Sequence, residues 1–274
     1  MTGADCLLMG ALAAAILTAA PATADVPFVE RHVTLAPLHM SADVGVGVAQ
    51  WEDFEPDPVN PQGVVDRGNK VGFGTSLEAA VGLPYVGEIA ARVGYRFDAV
   101  GANAQADHFG RLFDPVVNEP GVDSFTNPEI ILRGTMFALP LVEVALETRA
   151  VIPTASNSDF ALTPGAPVRI HIPTFARIDT GLYVPVAFNQ PAAFELQVPA
   201  QLFFQAGDAF FGPLTGLLYV QNGGDPNPQI LVGVGGGYTL AGILDLKAQV
   251  YTSQVNDVTW TKHIGAGLGV GVRL

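Results

Sequence analysis

The segment Val142-Glu143-Val144-Ala145-Leu146-Glu147-Thr148-Arg149-Ala150-Val151 decides the fold class. Apolar residues recur at every second position, which is the period of a β-strand. One face carries Val142, Val144, Leu146 and Ala150, and the opposite face carries Glu143, Glu147 and Arg149. Residues 129–138 alternate in the same way, and Leu139-Pro140-Leu141 joins the two segments as a tight turn. The stretch 129–151 therefore predicts a β-hairpin with one apolar face and one charged face.

The composition is unusually apolar for a water-soluble protein. Of 274 residues, 49% are hydrophobic and 14% are charged, whereas soluble domains are charged at roughly a quarter of their positions. After the N-terminus no uninterrupted apolar run reaches the roughly 18 residues of a spanning helix, and the 31 glycines and 21 prolines disfavour long helices. An apolar chain with strand periodicity predicts a transmembrane β-barrel. The alternative is a large soluble β-sandwich or barrel.

Charge and cysteine content exclude several classes of partner and chemistry. The formal net charge is −13, and only 13 Lys and Arg residues are spread over the chain, which argues against a nucleic-acid partner. The sole cysteine, Cys6, lies before the predicted mature chain. The sequence contains no zinc, P-loop or serine-hydrolase motif. We therefore expect no cofactor, no metal site, no disulfide and no enzymatic activity.

The N-terminus has the features of an export signal. A short apolar run from Leu7 to Ala20 precedes Pro21-Ala22-Thr23-Ala24-Asp25, in which Ala22 and Ala24 are the small residues that a signal peptidase accepts. An uncleaved anchor is the alternative, but the run is shorter than the roughly 20 residues of a span. The predicted organisation is a signal peptide over 1–24, a periplasmic N-terminal segment over 25–37 and a β-barrel over 38–274.

About twelve strands of about ten residues follow, the length that a tilted strand needs to cross a bilayer. Long polar connections, such as 51–69 and 99–127, alternate with tight turns along the chain. One turn is predicted at Ile178-Asp179, between strands over 167–177 and 180–188. The strands are predicted over 38–49, 71–81, 88–98, 129–138, 142–151, 167–177, 180–188, 194–204, 210–220, 230–239, 243–252 and 263–274.

The leader, the meander of strands and the alternation of turns with loops resemble porin-like bacterial outer-membrane β-barrel proteins. The resemblance implies an all-β, antiparallel, up-and-down transmembrane barrel with short periplasmic turns and longer extracellular loops. It also implies a bacterial outer-membrane location, contact with lipid and lipopolysaccharide, and insertion by the outer-membrane assembly machinery. The sequence departs from the pattern at its end, because such proteins usually finish with an aromatic residue and this chain finishes with Leu274.

If the apolar positions face lipid, the opposite positions line the lumen, and they divide into two walls. Glycines dominate the inward positions of the first, second, tenth and last strands, which we call the glycine wall. Pro173, Pro185, Pro199 and Pro213 are also expected to point inward. Because glycine in a strand often marks close approach of another group, we expect 25–37 or 99–127 to fold inward against the glycine strands and to face the charged ones. The alternative is that glycine only eases the curvature of the wall. The predicted polar lining residues are Arg92, Arg96, Arg133, Glu143, Glu147, Arg149, Arg169, His171, Arg177, Glu195, Gln197 and Lys247.

This lining is consistent with two functions. Opposed Glu and Arg side chains favour a narrow, passive channel for small polar solutes or ions. A closed barrel filled by ion pairs, whose extracellular loops contact a partner or lipopolysaccharide, is the alternative, because barrels near eight strands are filled and those of 16 to 18 strands are open. An outer-membrane lipase would need Ser and His on the outer wall, whereas His39, His171 and His263 fall on the inward positions.

Overall fold

The computed structural model describes residues 26–56, 64–84, 87–97, 124–125, 127–154, 160–188, 194–221, 227–252, 255 and 264–274. The predicted leader and most of 99–127 therefore lie outside the described residues. A single 3-10 turn, Phe28–Glu30, precedes the strands. Within the described ranges no helix is long and apolar enough to cross a membrane.

Twelve long strands form one closed antiparallel barrel, which confirms the predicted fold class. Each long strand pairs with the next long strand along the chain, and the first pairs with the last from Ser41↔Arg273 to Ala49↔Gly265, which closes the sheet. Two further strands of two residues each extend this ladder locally. The strands are β1 (Met40–Pro56), β2 (Val64–Leu83), β3 (Gly87–Phe97), β4 (Ser124–Phe125), β5 (Glu129–Ala138), β6 (Val142–Val151), β7 (Ala161–Ile172), β8 (Ala176–Tyr183), β9 (Val186–Ala187), β10 (Phe194–Ala206), β11 (Ala209–Gln221), β12 (Asn227–Leu240), β13 (Leu244–Thr252) and β14 (Ile264–Arg273).

The barrel is apolar outside and polar inside. On β1, Val44, Val46 and Val48 are exposed, whereas the alternate residues Ser41 and Asp43 are buried. The same alternation runs through the hairpin β5–β6, where apolar residues point outward and Glu143, Glu147 and Arg149 are buried. A soluble barrel would bury the apolar set, because apolar surface is driven out of water. The observed arrangement suits a lipid environment outside and a polar interior.

Short and long connections lie at opposite ends of the barrel, as predicted. The turns after β2, β5, β7, β10 and β12 span three residues or fewer, and the chain ends meet at this same end, where Met40 and Leu274 exchange backbone hydrogen bonds of 2.8 and 2.9 Å. The other connections, after β1, β3, β6, β8, β11 and β13, are longer. We refer below to the short-turn end and the long-loop end.

The predicted boundary between the sixth and seventh long strands is wrong. The turn lies at Pro173–Phe175, and the strands β7 and β8 therefore run earlier than the predicted 167–177 and 180–188. Proline favours turn positions, Thr174 has a positive φ of 62°, and the Phe175 amide donates to the Ile172 carbonyl at 3.1 Å. The Ile178-Asp179 corner is instead part of β8, and Asp179 is buried inside the barrel.

The expectation that all four prolines point inward is wrong for Pro173 and Pro213. Pro173 lies in the turn and Pro185 lies between β8 and β9. Pro199 lies on the inward face of β10, but Pro213 on β11 is exposed on the outward side, because its neighbour Leu214 is the buried residue. The ladder between β10 and β11 is interrupted beside Pro213, between Gln201↔Leu214 and Phe204↔Phe211, since proline has no amide hydrogen to donate.

Candidate functional site

The inner wall of β2, β3, β5 and β6 is a network of opposite charges. Strand register places Arg92 opposite Glu78 and Glu129, and places Arg133 opposite Glu88 and Glu147. The closest contacts are 2.6 Å for Arg92–Glu78, 2.6 Å for Arg133–Glu88 and 2.7 Å for Arg133–Glu147. Each arginine therefore lies between carboxylates on neighbouring strands, and this alternation of sign balances the buried charge.

Arg149 continues the network above Arg133, and β7 and β8 extend it around the barrel. Arg149 Nε lies 3.2 Å from Glu129 Oε2. Asp179 accepts from Arg169 at 2.6 Å and lies 3.0 Å from Arg177. All of these side chains are almost fully buried. We call this inner surface of β2, β3 and β5 to β8 the charged wall, and it is an interlocked layer of ion pairs.

Residues 26–39 lie across the short-turn end, inside the barrel. Phe28 stacks on Phe210 of β11 with ring centroids 3.6 Å apart and meets Phe203 of β10 edge-on at 5.4 Å. Arg177 lies over the Phe28 ring, 4.1 Å from its centroid, and donates to the Phe28 carbonyl. Three of the four buried apolar clusters in the described part of the chain include a residue of this segment. We call residues 26–39 the N-terminal segment.

The backbone of the N-terminal segment is fixed by the charged wall. Arg169 donates to the carbonyls of Arg31 and His32 at 2.8 and 2.7 Å. The amide of Val33 donates to Glu143 at 2.9 Å, and the amide of Leu35 donates to Glu88 at 2.9 Å. An extended segment without a strand partner needs such acceptors for its amides, and the inward carboxylates supply them. Residues 26–37 therefore fold inward as expected, but they contact mainly the charged strands rather than the glycine strands. Most of the other candidate, 99–127, lies outside the described residues.

The Glu143 carboxylate is within hydrogen-bond distance of two histidines as well as the Val33 amide. Its Oε1 atom lies 2.7 Å from His32 Nδ1 and 2.9 Å from His171 Nε2. The other ring nitrogen of His171 lies 3.0 Å from the Val29 carbonyl. His171 thus lies between a carboxylate oxygen of β6 and a carbonyl oxygen of the N-terminal segment. The hydrogen bond to Glu143 raises the pKa of His32 above its ordinary value of 6.5.

A second charged group lies on β13, β14 and β1. Asp245 accepts from Arg31 of the N-terminal segment at 2.5 Å and lies 3.5 Å from Arg273. Lys247, two residues along β13, pairs with Asp43 of β1 at 2.5 Å. The N-terminal segment is therefore anchored on opposite sides of the barrel, by Glu143 on β6 and by Asp245 on β13.

Glycines of β12 and β14 leave space for large side chains of the neighbouring strands. A Cβ atom at Gly265 would lie 2.5 Å from the Tyr251 ring, and one at Gly237 would lie 2.5 Å from the ring of Phe210. Glycine therefore lets these aromatic rings lie flat against the adjacent strand. Since Phe210 also stacks on Phe28, Gly237 supports the contact that holds the N-terminal segment.

Most of the polar residues that the sequence predicts for the lining lie on inward positions of the strands. Arg92, Arg133, Glu143, Glu147, Arg149, Arg169, Arg177 and Gln197 are buried on inward positions. Glu195, Lys247 and His171 are half-buried on inward positions. Arg96 pairs with Gly74 through the backbone, and its side chain lies outside the described residues. The described residues contain no cluster of three or more His, Cys, Asp or Glu suited to a metal ion.

Sequence reasoning missed the partners of these residues. The carboxylates Glu78, Glu88, Glu129 and Asp245 fall on the inward positions by the same alternation, so the signal was available in the sequence. Asp179 is absent from the predicted lining because the sequence predicts a turn at Ile178-Asp179, whereas this residue lies in β8. Arg31 and His32 carry no periodic signal, since their segment is not a strand.

Solved structures share this architecture. Solved outer-membrane porins and channels have the same fold, a closed antiparallel barrel. The COG4313 outer membrane channel from Pseudomonas putida F1 aligns with a TM-score of 0.56 at 9% identity, covering 88% of this chain and 97% of that one. The NanC porin aligns with a TM-score of 0.55 at 9% identity, covering 85% of this chain and all of that one.

The KdgM porin also aligns, with a TM-score of 0.52 at 9% identity, covering 85% of this chain and 98% of that one. One KdgM structure is a complex with disordered oligogalacturonate. No protein-family model matches the sequence, and no curated protein sequence matches it either. At this identity the likeness concerns the fold.

Proposed function

We propose that this protein is a narrow, passive channel for small polar solutes or ions in the bacterial outer membrane. The observation that carries the proposal is the inverted barrel, in which apolar side chains face outward and charged, amide and glycine residues face inward. Such an interior offers water and polar solutes a path that the surrounding lipid does not. The folds of the KdgM and NanC porins and of the COG4313 channel support this proposal.

The proposed channel is narrow because its short-turn half is occupied. The N-terminal segment crosses that mouth, and the ion pairs fill the wall above it. Twelve-stranded barrels lie between filled and open sizes, so a few inward side chains set the width. We therefore propose small solutes rather than folded or polymeric cargo, and no catalytic role.

The location and orientation belong to the same proposal. The signal peptide is removed after Ala24, the short-turn end faces the periplasm and the longer loops face the outside, where they contact lipopolysaccharide. The outer-membrane assembly machinery inserts the barrel. The apolar outer surface supports a lipid environment, and the sorting of short and long connections to opposite ends supports the orientation.

A closed barrel with a binding role is the second candidate. It is favoured by one observation, the packing of the N-terminal segment across the short-turn mouth with apolar, ionic and backbone contacts. In this alternative the lumen passes no solute, and the extracellular loops contact a partner or lipopolysaccharide.

Liposome swelling distinguishes the two candidates. The full-length protein is reconstituted into liposomes, which are then diluted into isotonic solutions of uncharged sugars of increasing size. A channel gives swelling with the smallest solutes and a sharp decline with size. Protein-free liposomes are the baseline, and a general porin is the positive control. Swelling at the protein-free rate for every solute, from protein whose folded state is confirmed by gel mobility, would favour the closed barrel.

A further inference from the structure

The inward side chains differ in how much of their surface is exposed to solvent. On the charged wall, the side chains of Arg133, Arg149 and Arg169 are at most 1% exposed. On β13 and β14, the side chains of Lys247 and Arg273 are 20% and 19% exposed. All of these residues point inward, so the difference reflects the filling of the lumen. Among the described residues, these exposed side chains mark a space for water beside β12, β13 and the short-turn end of β14.

The accessible residues form one continuous patch. Strand register places Gly235 beside Gln249, and places Lys247 between Gly237 and Gly269. All five are partly exposed. Because glycine has no side chain, this part of the wall leaves room that the opposite wall fills with arginine and glutamate. Gln249, Lys247 and Arg273 follow one another from the long-loop side to the short-turn end, so the patch extends along the barrel axis.

The charge presented by this patch is positive. Lys247 pairs with Asp43, and Asp245 is shared by Arg31 and Arg273. The group therefore contains three cationic side chains and two carboxylates. Asp43 and Asp245 are 3% and 1% exposed, so the carboxylates lie behind their partners. A solute passing here meets an ammonium and a guanidinium first, and a single excess charge beside a low-dielectric wall is weakly screened.

We infer that solutes cross the barrel beside β12–β14, past Gln249, Lys247 and Arg273, and that Lys247 and Arg273 give this path a preference for small anions. The inference rests on the proposed channel function and deepens it by naming the path and the class of solute. The buried arginines of the opposite wall take no part in selectivity, because carboxylates already neutralise them and solvent does not reach them.

Cysteine accessibility tests the path. The chain has one cysteine, Cys6, so a Cys6→Ser background gives single-cysteine proteins at Gln249→Cys and at Ala145→Cys. Ala145 is the matched control, because it is a fully buried inward residue of β6 on the opposite wall. We expect a negatively charged, membrane-impermeant methanethiosulfonate to label Gln249→Cys and to lower its conductance in a planar bilayer, while Ala145→Cys stays unlabelled.

The possible outcomes distinguish failure of the proposed path from failure of the proposed channel function. Equal labelling at both positions, or labelling of Gln249→Cys without loss of conductance, overturns the path and leaves the channel function intact. A folded barrel that conducts no ions before labelling overturns the channel function and the path with it. Gel mobility before and after heating establishes folding for each variant.

Reversal potentials in a salt gradient test the selectivity. We expect the wild-type protein to favour the anion, Lys247→Gln to lose that preference, and the charge-conserving variant Lys247→Arg to keep it. An unchanged reversal potential in Lys247→Gln, or a cation preference in the wild-type protein, overturns the assignment of Lys247.

Discussion

Arg133 shows how single residues hold this barrel together. Its guanidinium lies between Glu88 and Glu147, at 2.6 and 2.7 Å, and none of the three side chains is more than 1% exposed. Moving three charges out of water is costly, and their mutual attraction offsets that cost only while the set is complete. The stability contributed by Arg133 is therefore conditional on its two carboxylate partners.

We expect Arg133→Met to destabilise the folded barrel strongly. The substitution removes the guanidinium that both buried carboxylates contact, and breaking a buried pair in this way costs roughly 3–5 kcal/mol. Urea unfolding, followed by gel mobility, measures the change in the free energy of unfolding. Leu132→Met is the matched control, because Leu132 is the adjacent outward residue and is 52% exposed. Equal unfolding midpoints for the two variants would contradict the role of the ion pairs.

The docking of the N-terminal segment is expected to weaken as pH rises. The hydrogen bond to Glu143 raises the pKa of His32 above 6.5, so protonation of His32 is favoured when the segment is docked. The stabilisation is fully present below pH 6.5 and is lost as pH rises through the raised pKa. The effect is small, because the His32 side chain is 75% exposed and solvent screens the pair.

Hydrogen exchange at the Val33 amide, which donates to Glu143, measures this pH dependence. We expect its protection to fall with pH in the wild-type protein relative to His32→Gln at the same pH, a comparison that removes the intrinsic pH dependence of exchange. Parallel curves for the two proteins would exclude His32 from the docking equilibrium.

The inward positions of the charged residues on β6 could be predicted from the sequence, but their partners could not. Alternation along β6 places Glu147 and Arg149 on one face, and the structure places both inside the barrel. The partner of Glu147 depends on how β5 and β6 align, which is set by the whole ladder and by a bulge between Thr135 and Phe137. The role of Arg31 could not be predicted, since its contacts with Asp245 arise only when the barrel closes around it.

At the scale of elements, docking of the N-terminal segment inside the barrel depends on Phe28. Its ring stacks on Phe210, meets Phe203 edge-on and lies under Arg177. None of these contacts belongs to the strand ladder. The segment can therefore undock without unfolding of the barrel, in the way that locally stabilised elements open before the global structure.

We expect Phe28→Ala to raise single-channel conductance while the barrel stays folded. Loss of a buried aromatic side chain costs about 3–5 kcal/mol, which here weakens docking of the segment and clears the short-turn mouth. Conductance in a planar bilayer and heat-dependent gel mobility are the two measurements. Val26→Ala is the control, since Val26 is 43% exposed. Unchanged conductance in Phe28→Ala would show that the segment does not restrict the path.

The glycine strands are expected to tolerate side chains only at certain positions. A Cβ at Gly233 would lie 2.3 Å from the Val250 carbonyl oxygen and 2.7 Å from Tyr251 Cβ, whereas one at Gly269 would lie 3.6 Å from its nearest neighbours. Gly233→Val should therefore push β12 from β13 and lower the unfolding midpoint, and Gly269→Val should fold normally. Comparable stability of the two variants in urea would contradict the close packing at Gly233.

Most elements could be predicted from period-two alternation, and the exceptions have local causes. The hairpin β5–β6 matches the sequence prediction at both of its strands, because its apolar and charged faces alternate cleanly. The β7–β8 turn was misplaced, because Arg169, His171 and Arg177 continue the alternation across Pro173 and hide the turn. The N-terminal segment was not assigned contacts, because it pairs with side chains rather than with a strand.

At the scale of the whole molecule, the interior of the barrel is filled to different extents along its axis and around its wall. The short-turn half contains the N-terminal segment and the interlocked charges, and inward residues of β12, β13 and β14 such as Gly235, Lys247 and Gly269 are partly exposed to solvent. Closure of β1 on β14 brings two glycine-rich strands together, which could be predicted once a barrel was assumed. The depth to which the interior is filled could not be predicted, because it depends on packing across strands that are distant in sequence.

Single-channel recording of the folded, full-length protein in a planar bilayer tests the channel function most directly. We expect discrete conductance steps of small, uniform size. Persistent electrical silence, from protein whose barrel is shown to be folded by its mobility shift between unheated and boiled gel samples, would contradict the channel and support a closed barrel that acts through its extracellular loops.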